Sequence, residues 1–158
     1  MPLVGILDNV RSRYNVGAIF RTADGLGVNK LYLCGITPKP DRDDDRLGIA
    51  KTALGAEVTV PWEGVGETAE LVTRLKRDGY TIVALETDVR GMPLPIAIQS
   101  ITSEQKIALV VGHEIYGIHH DVLALADVVA EIPMHGTKES LNVEVSFALG
   151  AYALTHTK

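Results

Sequence analysis

The residues of this chain best suited to chemistry lie in three short segments, at the start of a helix, at the end of an apolar strand and at a second helix start. The first holds Asn15, Gly17 and Arg21, the arginine sitting six residues beyond Asn15, just over one and a half helical turns away. A guanidinium inside Ala18-Ile19-Phe20-Arg21-Thr22-Ala23 can grip a phosphate or a developing negative charge. It can equally snorkel to the surface or pair with Asp24 at i+3. The second segment is Val110-Val111-Gly112-His113-Glu114-Ile115-Tyr116-Gly117-Ile118. Its glycines let backbone approach a ligand closely, at the strand end where open α/β sheets bind ligands. An ordinary strand-to-helix turn with a solvated Glu114 fits the same residues. In the third, Ile132-Pro133-Met134 leads through a polar loop to Ser140-Leu141-Asn142. The free N–H groups of a helix start, a hydroxyl and an amide there offer several donors to one point, and a plain helix capped by Ser140 is the alternative.

Positioning these groups requires regular elements, and apolar runs rich in Val, Ile and Leu alternate with helical-period stretches along the chain. The pattern predicts strands over 4–7, 30–34, 57–60, 81–86, 107–111 and 128–132, and helices over 16–26, 42–54, 65–78, 120–126 and 141–155. Gly79 caps the third helix at its C-terminus. Continuous hydrophobicity, as in Ile107-Ala108-Leu109-Val110-Val111, marks strands covered by helices on both faces. The expectation is α/β with a mostly parallel sheet flanked by helices. The stretch 35–45, with Pro38, Pro40 and the aspartates Asp43 to Asp45, reads as a candidate mobile loop whose acids are solvated. The stretch 90–103, with Pro93 and Pro95, reads as crossing an edge of the sheet.

A chain of 158 residues with 46% apolar and 5% aromatic residues holds the aliphatic material for one core without a metal or disulfide staple. Cys34 is the lone cysteine, and no charged and apolar leader opens the chain, so a cytoplasmic protein is expected. Uncharged stretches are too short for a membrane span. The net charge is −5, but eight Lys/Arg against six acids precede Thr52, and seven against fourteen follow Lys51. The basic end permits a polyanion-binding face. His113, His119, His120, His135 and His156 have no metal-like spacing, so no metal is expected. Gly25-Leu26-Gly27 does not continue into a dinucleotide fingerprint, and no nucleophile elbow for a serine hydrolase is present.

Taken together and in order, the three segments resemble the SpoU (TrmH-like) family of SPOUT-class S-adenosylmethionine-dependent RNA 2′-O-methyltransferases. The matching residues are Asn15, Gly17 and Arg21-Thr22-Ala23; Gly112-His113-Glu114 and Gly117; and Ile132-Pro133-Met134 with Ser140-Leu141-Asn142-Val143. Lys51-Thr52-Ala53-Leu54-Gly55-Ala56 is similar to the family's connecting segment. The resemblance spans nearly the whole chain and implies one SpoU-type domain over 1–158. It implies a C-terminal deep trefoil knot over about 81–155 and a homodimer whose subunits share the site. It also implies methyl transfer from S-adenosylmethionine to a ribose 2′-hydroxyl. Arg21, Asn15, Glu114, Ser140 and Asn142 are the implied catalytic set, with Arg21 either the base or an electrostatic clamp, the clamp being preferred because a guanidinium stays protonated. Leu85, Glu86, Gly112, Ile132, Met134, Ser140 and Leu141 are the implied cofactor lining. His113 is given no catalytic role. Arg11, Arg13, Arg21, Arg42, Arg46 and Lys51 are the expected RNA contacts, by shape and phosphate rather than by stacked bases, since aromatics are few. Transfer RNA is the preferred substrate and ribosomal RNA the runner-up, acted on by a catalytic domain alone. A non-catalytic knotted module binding RNA or S-adenosylmethionine, and methylation of a base nitrogen, are the alternatives. Whether an accessory protein presents the RNA is open.

Overall fold

The computed structural model describes residues 1–157; Lys158, the last residue of the expected domain, lies outside the described residues. Seven strands run parallel in one sheet: β1 (Leu3–Asp8), β2 (Lys30–Cys34), β3 (Trp62–Val65), β4 (Tyr80–Leu85), β5 (Met92–Pro93), β6 (Lys106–Gly112) and β7 (Val128–Glu131). Their order is β3-β2-β1-β6-β4-β7-β5, so β4 lies between the two strands that follow β5 in the chain. The helices are α1 (Arg13–Leu26), α2 (Asp43–Ala53), α3 (Ala56–Thr59), α4 (Thr68–Arg77), α5 (Leu94–Ala97), α6 (His120–Leu125) and α7 (Val143–Thr155). The α/β class with a parallel sheet is thus as expected.

Strand alternation divides the core into two layers. Leu7, Leu33, Leu85, Leu109 and Val111 point to the side covered by α1 and α7, where Phe20 and Phe147 are fully buried. Ile6, Cys34, Ile82 and Val110 point to the other side, under α4 and α6. Because each central strand is covered on both faces, its apolar run is unbroken. Gly5 is glycine because a Cβ would come within 2.6 Å of the Leu31 side chain and 3.0 Å of Phe147. Gly17 lets α1 lie directly on α2, where a Cβ would meet the Ile49 carbonyl and the Thr52 hydroxyl.

Four expectations need correction. Residues 57–60 are not a strand: Leu54 and Gly55 adopt positive φ, 52° and 97°, ending α2 and allowing the single turn of α3. The third strand is Trp62–Val65, an edge strand pairing only with β2, and its Glu63 and Gly64 hide the apolar run that strand recognition needs. The following helix starts at Thr68 rather than 65. The first helix starts earlier than 16, at Arg13, because Ser12 caps it, its Oγ accepting from the Asn15 N–H at 3.2 Å. The last starts later than 141, at Val143, with Asn142 and not Ser140 in the cap position. Gly79, at φ +87°, follows α4 as expected.

The loop before α2 is tied down rather than free. Thr37 is fully buried, its hydroxyl 2.7 Å from the Cys34 carbonyl and 3.0 Å from that of Leu7, while it accepts from Val10 N–H. The buried Lys39 amine donates to the Gly35 and Thr37 carbonyls, and burial followed by the nearby Arg42 charge holds its pKa below the usual lysine value. Asp43 to Asp45 form the first turn of α2, where their charge suits the helix dipole. Asp45 is buried, accepting from Arg13 Nε at 2.8 Å and from the Lys39 N–H at 3.1 Å. The run is therefore not simply a solvated loop. Residues 92–100 do follow the sheet edge, through β5, α5 and a 3-10 turn.

Candidate active site

The C-terminal ends of β4, β6 and β7 open onto one cavity, and the chain segments leaving those strands form its walls. Leu85 and Glu86 come from the first, Gly112 from the second, and Ile132, Met134, Ser140 and Leu141 from the third. All seven residues expected to line a cofactor pocket are there. Glu114, Glu131 and Glu139 also line it, with no Lys or Arg among the described lining residues.

Two glycines make the wall from β6 possible. A Cβ on Gly112 would run into the backbone of Gly117 and Ile118, and one on Gly117, at φ +70°, would strike the Glu86 carboxylate. His113 and Gly117 close the loop between them by exchanging N–H to carbonyl bonds at 3.0 and 2.9 Å. Inside it, His113 Nδ1 accepts from the Ile115 and Tyr116 N–H groups, which accounts for this histidine without catalysis. Glu86 accepts from Ile118 N–H at 2.8 Å through Oε2 and from Thr87 N–H at 3.0 Å through Oε1. Its carboxylate thus holds the wall in place as well as lining the cavity.

Glu114 joins the second sequence segment to the first. Its Oε1 accepts from Arg11 N–H at 2.7 Å, and its Oε2 accepts from Ser12 N–H at 2.8 Å and from the Asn15 amide at 3.3 Å. Partial burial pushes the Glu114 pKa up, but the Arg11 and Ser12 N–H bonds, with help from Asn15, outweigh it and leave the carboxyl below its ordinary value. An ionised carboxylate at the N-terminus of α1 also complements the helix dipole. Glu114 is consequently a poor proton acceptor and a good strut.

The structure brings Asn15 and Glu114 into contact and puts Glu114 and Ser140 on the same cavity; Arg21 and Asn142 are not among its lining residues. Arg21 is exposed on α1, and its sequence-level alternative partner Asp24 instead accepts from the Thr59 hydroxyl at 3.2 Å. Of the expected RNA contacts, Arg11, Arg42, Arg46 and Lys51 are exposed along α1 and α2 or at their starts. Arg13 is half exposed but spends its Nε on Asp45, so it is less free for phosphate than its sequence position implies. The fold also gathers the exposed His119, His120 and Asp121, with ligand atoms within 4.8 Å of one another, although His119 Nδ1 already accepts from Asp121 N–H to cap α6.

Sequence reasoning missed Asp8. It is 1% exposed at the end of β1, accepting from the Thr68 hydroxyl at 2.6 Å and from His119 N–H at 2.9 Å. It thereby pins the starts of α4 and α6 to the sheet beside the cavity. The available signal was a carboxylate closing an apolar strand, which a turn residue also provides.

The family model described as the SpoU rRNA methylase family matches residues 2–152. The chain belongs to the SpoU family. Among curated SpoU relatives, the 23S rRNA (guanosine-2′-O-)-methyltransferase RlmB of Nitrosomonas europaea is 34% identical over 144 residues, 91% of this chain and 52% of its own length. The tRNA (guanosine(18)-2′-O)-methyltransferase of Borreliella burgdorferi is 28% identical over 152 residues, 96% of this chain and 65% of its own. The chain thus spans between about half and two thirds of the length of these relatives. Among solved structures, the TrmH/SpoU tRNA modifying enzyme of A. aeolicus superposes with a TM-score of 0.82 at 27% identity, over 97% of this chain and 73% of that one. The AdoMet-bound rRNA methyltransferase of Sinorhizobium meliloti shares the fold with a TM-score of 0.85 at 23% identity, over 97% of this chain and 55% of that one.

Proposed function

We propose that this protein transfers a methyl group from S-adenosylmethionine to a ribose 2′-hydroxyl of RNA, with transfer RNA the preferred substrate and ribosomal RNA the second. The observation that carries this reading is the cavity where the second and third of the segments the family shares meet the end of β4, tied to the first segment through Glu114. Its chemistry fits the cofactor: Leu85, Ile132, Met134 and Leu141 offer apolar walls for an adenine ring, and the glutamates offer a field that suits a sulfonium and an ammonium group. A dinucleotide or other phosphate ligand would meet that field as repulsion.

When bound, S-adenosylmethionine supplies an electrophilic methyl group, and the protein must orient the hydroxyl, dispose of its proton and stabilise the developing alkoxide. Arg21 serves as the clamp on RNA phosphate and alkoxide, because its guanidinium cannot act as a base at ordinary pH. Ser140 and Asn142 position substrate at the start of α7. Asn15 and Glu114 act through the strut that fixes α1 against the β6 wall. The proton leaves through phosphate or water.

Arg21 is outside the lining of the cavity that Ser140 lines, which supports a homodimer in which each site takes Arg21 from one subunit and the cofactor pocket from the other. The chain over about 81–155 then forms the trefoil knot of the SPOUT class, in the cytoplasm. The placement of β4 between β6 and β7 and the convergence of the segments leaving all three support the knot.

The test is Arg21→Ala. Methyl transfer to RNA should fall by at least about a hundredfold, in the range of lost oxyanion-type stabilisation, while calorimetry finds S-adenosylmethionine binding unchanged. Loss of cofactor binding in this variant, or full activity, contradicts the assignment.

A further inference from the structure

The loop from Gly112 to Gly117 that walls the cavity also carries the most exposed aromatic ring among the described residues. Tyr116 is 83% exposed, and its neighbour Ile115 is 75% exposed. A single exposed apolar side chain is ordinary. This pair differs because its backbone is held still. The Ile115 and Tyr116 N–H groups donate to His113 Nδ1 at 3.0 and 3.2 Å, and the paired bonds between His113 and Gly117 close the loop around them. The Tyr116 ring lies against the His113 imidazole, with centroids 4.9 Å apart, and His113 and Ile115 both line the cavity. An aromatic face is thus presented to solvent at the cavity's mouth on a braced loop, so that little conformational freedom is left for a partner to remove.

The charge around this tip selects its partner. Glu86, Glu114, Glu131 and Glu139 line the cavity with no Lys or Arg among the described lining residues, and residues 113–118 themselves hold Glu114 and no Lys or Arg. An RNA phosphate is repelled from such a rim. The exposed cations Arg11, Arg42, Arg46 and Lys51 stand instead on α1 and α2 or at their starts, and Glu114 ties that side to the loop through the Arg11 N–H. A strand that brings a ribose to the cavity is therefore held by its phosphates on the helix side and by its uncharged bases on the loop side. An unstacked base offers a π-face, which a tyrosine ring accepts whatever the base. A second copy of the chain finds a longer apolar face elsewhere, at Val145, Leu149 and Tyr152 on α7. We propose that Tyr116 is the stacking platform for an unpaired RNA base flanking the nucleoside that is methylated. The contact adds affinity without reading sequence. The low aromatic content does not oppose this, since one ring in the right place suffices.

That the base flanks the methylated nucleoside rests on the methyl-transfer reading above; that Tyr116 stacks on RNA does not. The test therefore has a binding arm and a transfer arm, both on the full chain. Tyr116 braces the loop through its backbone N–H, so replacing its side chain leaves that bond in place. Fluorescence titration of a single-stranded decaadenylate carrying one 2-aminopurine should show binding that Tyr116→Ala weakens about tenfold. Tyr116→Phe should bind as the wild type does, and Tyr116→Leu, apolar but without a π-face, as weakly as Tyr116→Ala. The loss should be the same factor at every salt concentration, since no phosphate contact is removed. Light scattering should find one oligomeric state for all four proteins, and calorimetry one affinity for S-adenosylmethionine. A wild type that ignores the decaadenylate, equal binding by Tyr116→Ala, or full binding by Tyr116→Leu overturns the proposal. So does a change of cofactor affinity, or a change of oligomeric state, which would put a second copy of the chain on the tip instead. In the transfer arm, Tyr116→Ala should lower kcat/KM for methyl transfer to unmodified transfer RNA about tenfold, chiefly through KM; an unchanged kcat/KM overturns the placement beside the methylated nucleoside. Binding that depends on Tyr116, without any methyl transfer by the wild type, leaves the stacking platform standing and removes the methyl-transfer reading instead.

Discussion

Glu114 accepts three hydrogen bonds from the segment that opens α1, and this, more than acid–base chemistry, defines its part in the site. Its carboxyl lies below the ordinary value of 4.5, so its contribution to stability is complete above that pH and is lost as pH falls through the lowered folded value. Urea unfolding at neutral pH and below pH 4.5 should therefore show a smaller acid loss for Glu114→Gln than for the wild type. Equal losses would mean that the strut is not formed in solution. Cys34 is the opposite case. It is buried, and desolvation raises its thiol to about 12, so it stays protonated and shielded. Iodoacetamide at mildly alkaline pH should leave the native protein unlabelled by mass spectrometry and label it only after unfolding. At this scale part was legible: the glycines flanking Glu114 were expected to admit a ligand to the backbone, and the structure shows that they are required by the chain's own Gly117–Ile118 backbone and the Glu86 carboxylate. The bonding of Glu114 was not legible, because its partners lie about a hundred residues away in the chain.

Elements were legible in proportion to their burial. The central strands β1, β6 and β4, covered on both faces, announce themselves as unbroken Val, Ile and Leu runs. The edge strand β3 and the single turn α3 do not, since one partner strand and a positive-φ pair define them rather than an apolar pattern. The start of α1 was misplaced for a related reason: Ser12 is a capping residue, but it sits among Arg11, Arg13 and Tyr14, where no apolar period begins. Helix α7 is apolar nearly all round. Phe147 and Leu154 are fully buried in the core, yet Val145, Leu149 and Tyr152 are exposed. Phe147→Ala should cost about 3–5 kcal/mol in chemical denaturation, because Phe147 is fully buried and packs beside Leu31 over Gly5. A loss near zero would show that the layer under α7 repacks freely.

For the whole molecule, an apolar stripe along a helix that is already packed on its other face calls for a partner. The homodimer proposed above supplies one, and two consequences can be measured. Leu149→Glu should convert a dimer to a monomer by light scattering and abolish transfer. Arg21→Ala and Gly117→Ala, each inactive alone, should regain activity when mixed and allowed to exchange subunits, since one mixed site would then carry both an intact Arg21 and an intact pocket. An active monomer, or no recovery on mixing, contradicts a shared site. The parallel sheet was legible from periodicity, but a threading such as the one proposed over about 81–155 is not, because hydrophobic period reports burial and carries no record of which loop passes through which.

The central claim is methyl transfer to ribose, and it is tested most directly by incubating the purified protein with methyl-labelled S-adenosylmethionine and separate pools of unmodified transfer and ribosomal RNA, followed by digestion to nucleosides. The account predicts label in a 2′-O-methylated nucleoside, chiefly from the transfer RNA pool, and none with Arg21→Ala. Label in a base-methylated nucleoside, or no label in either pool from protein that binds the cofactor, would contradict it.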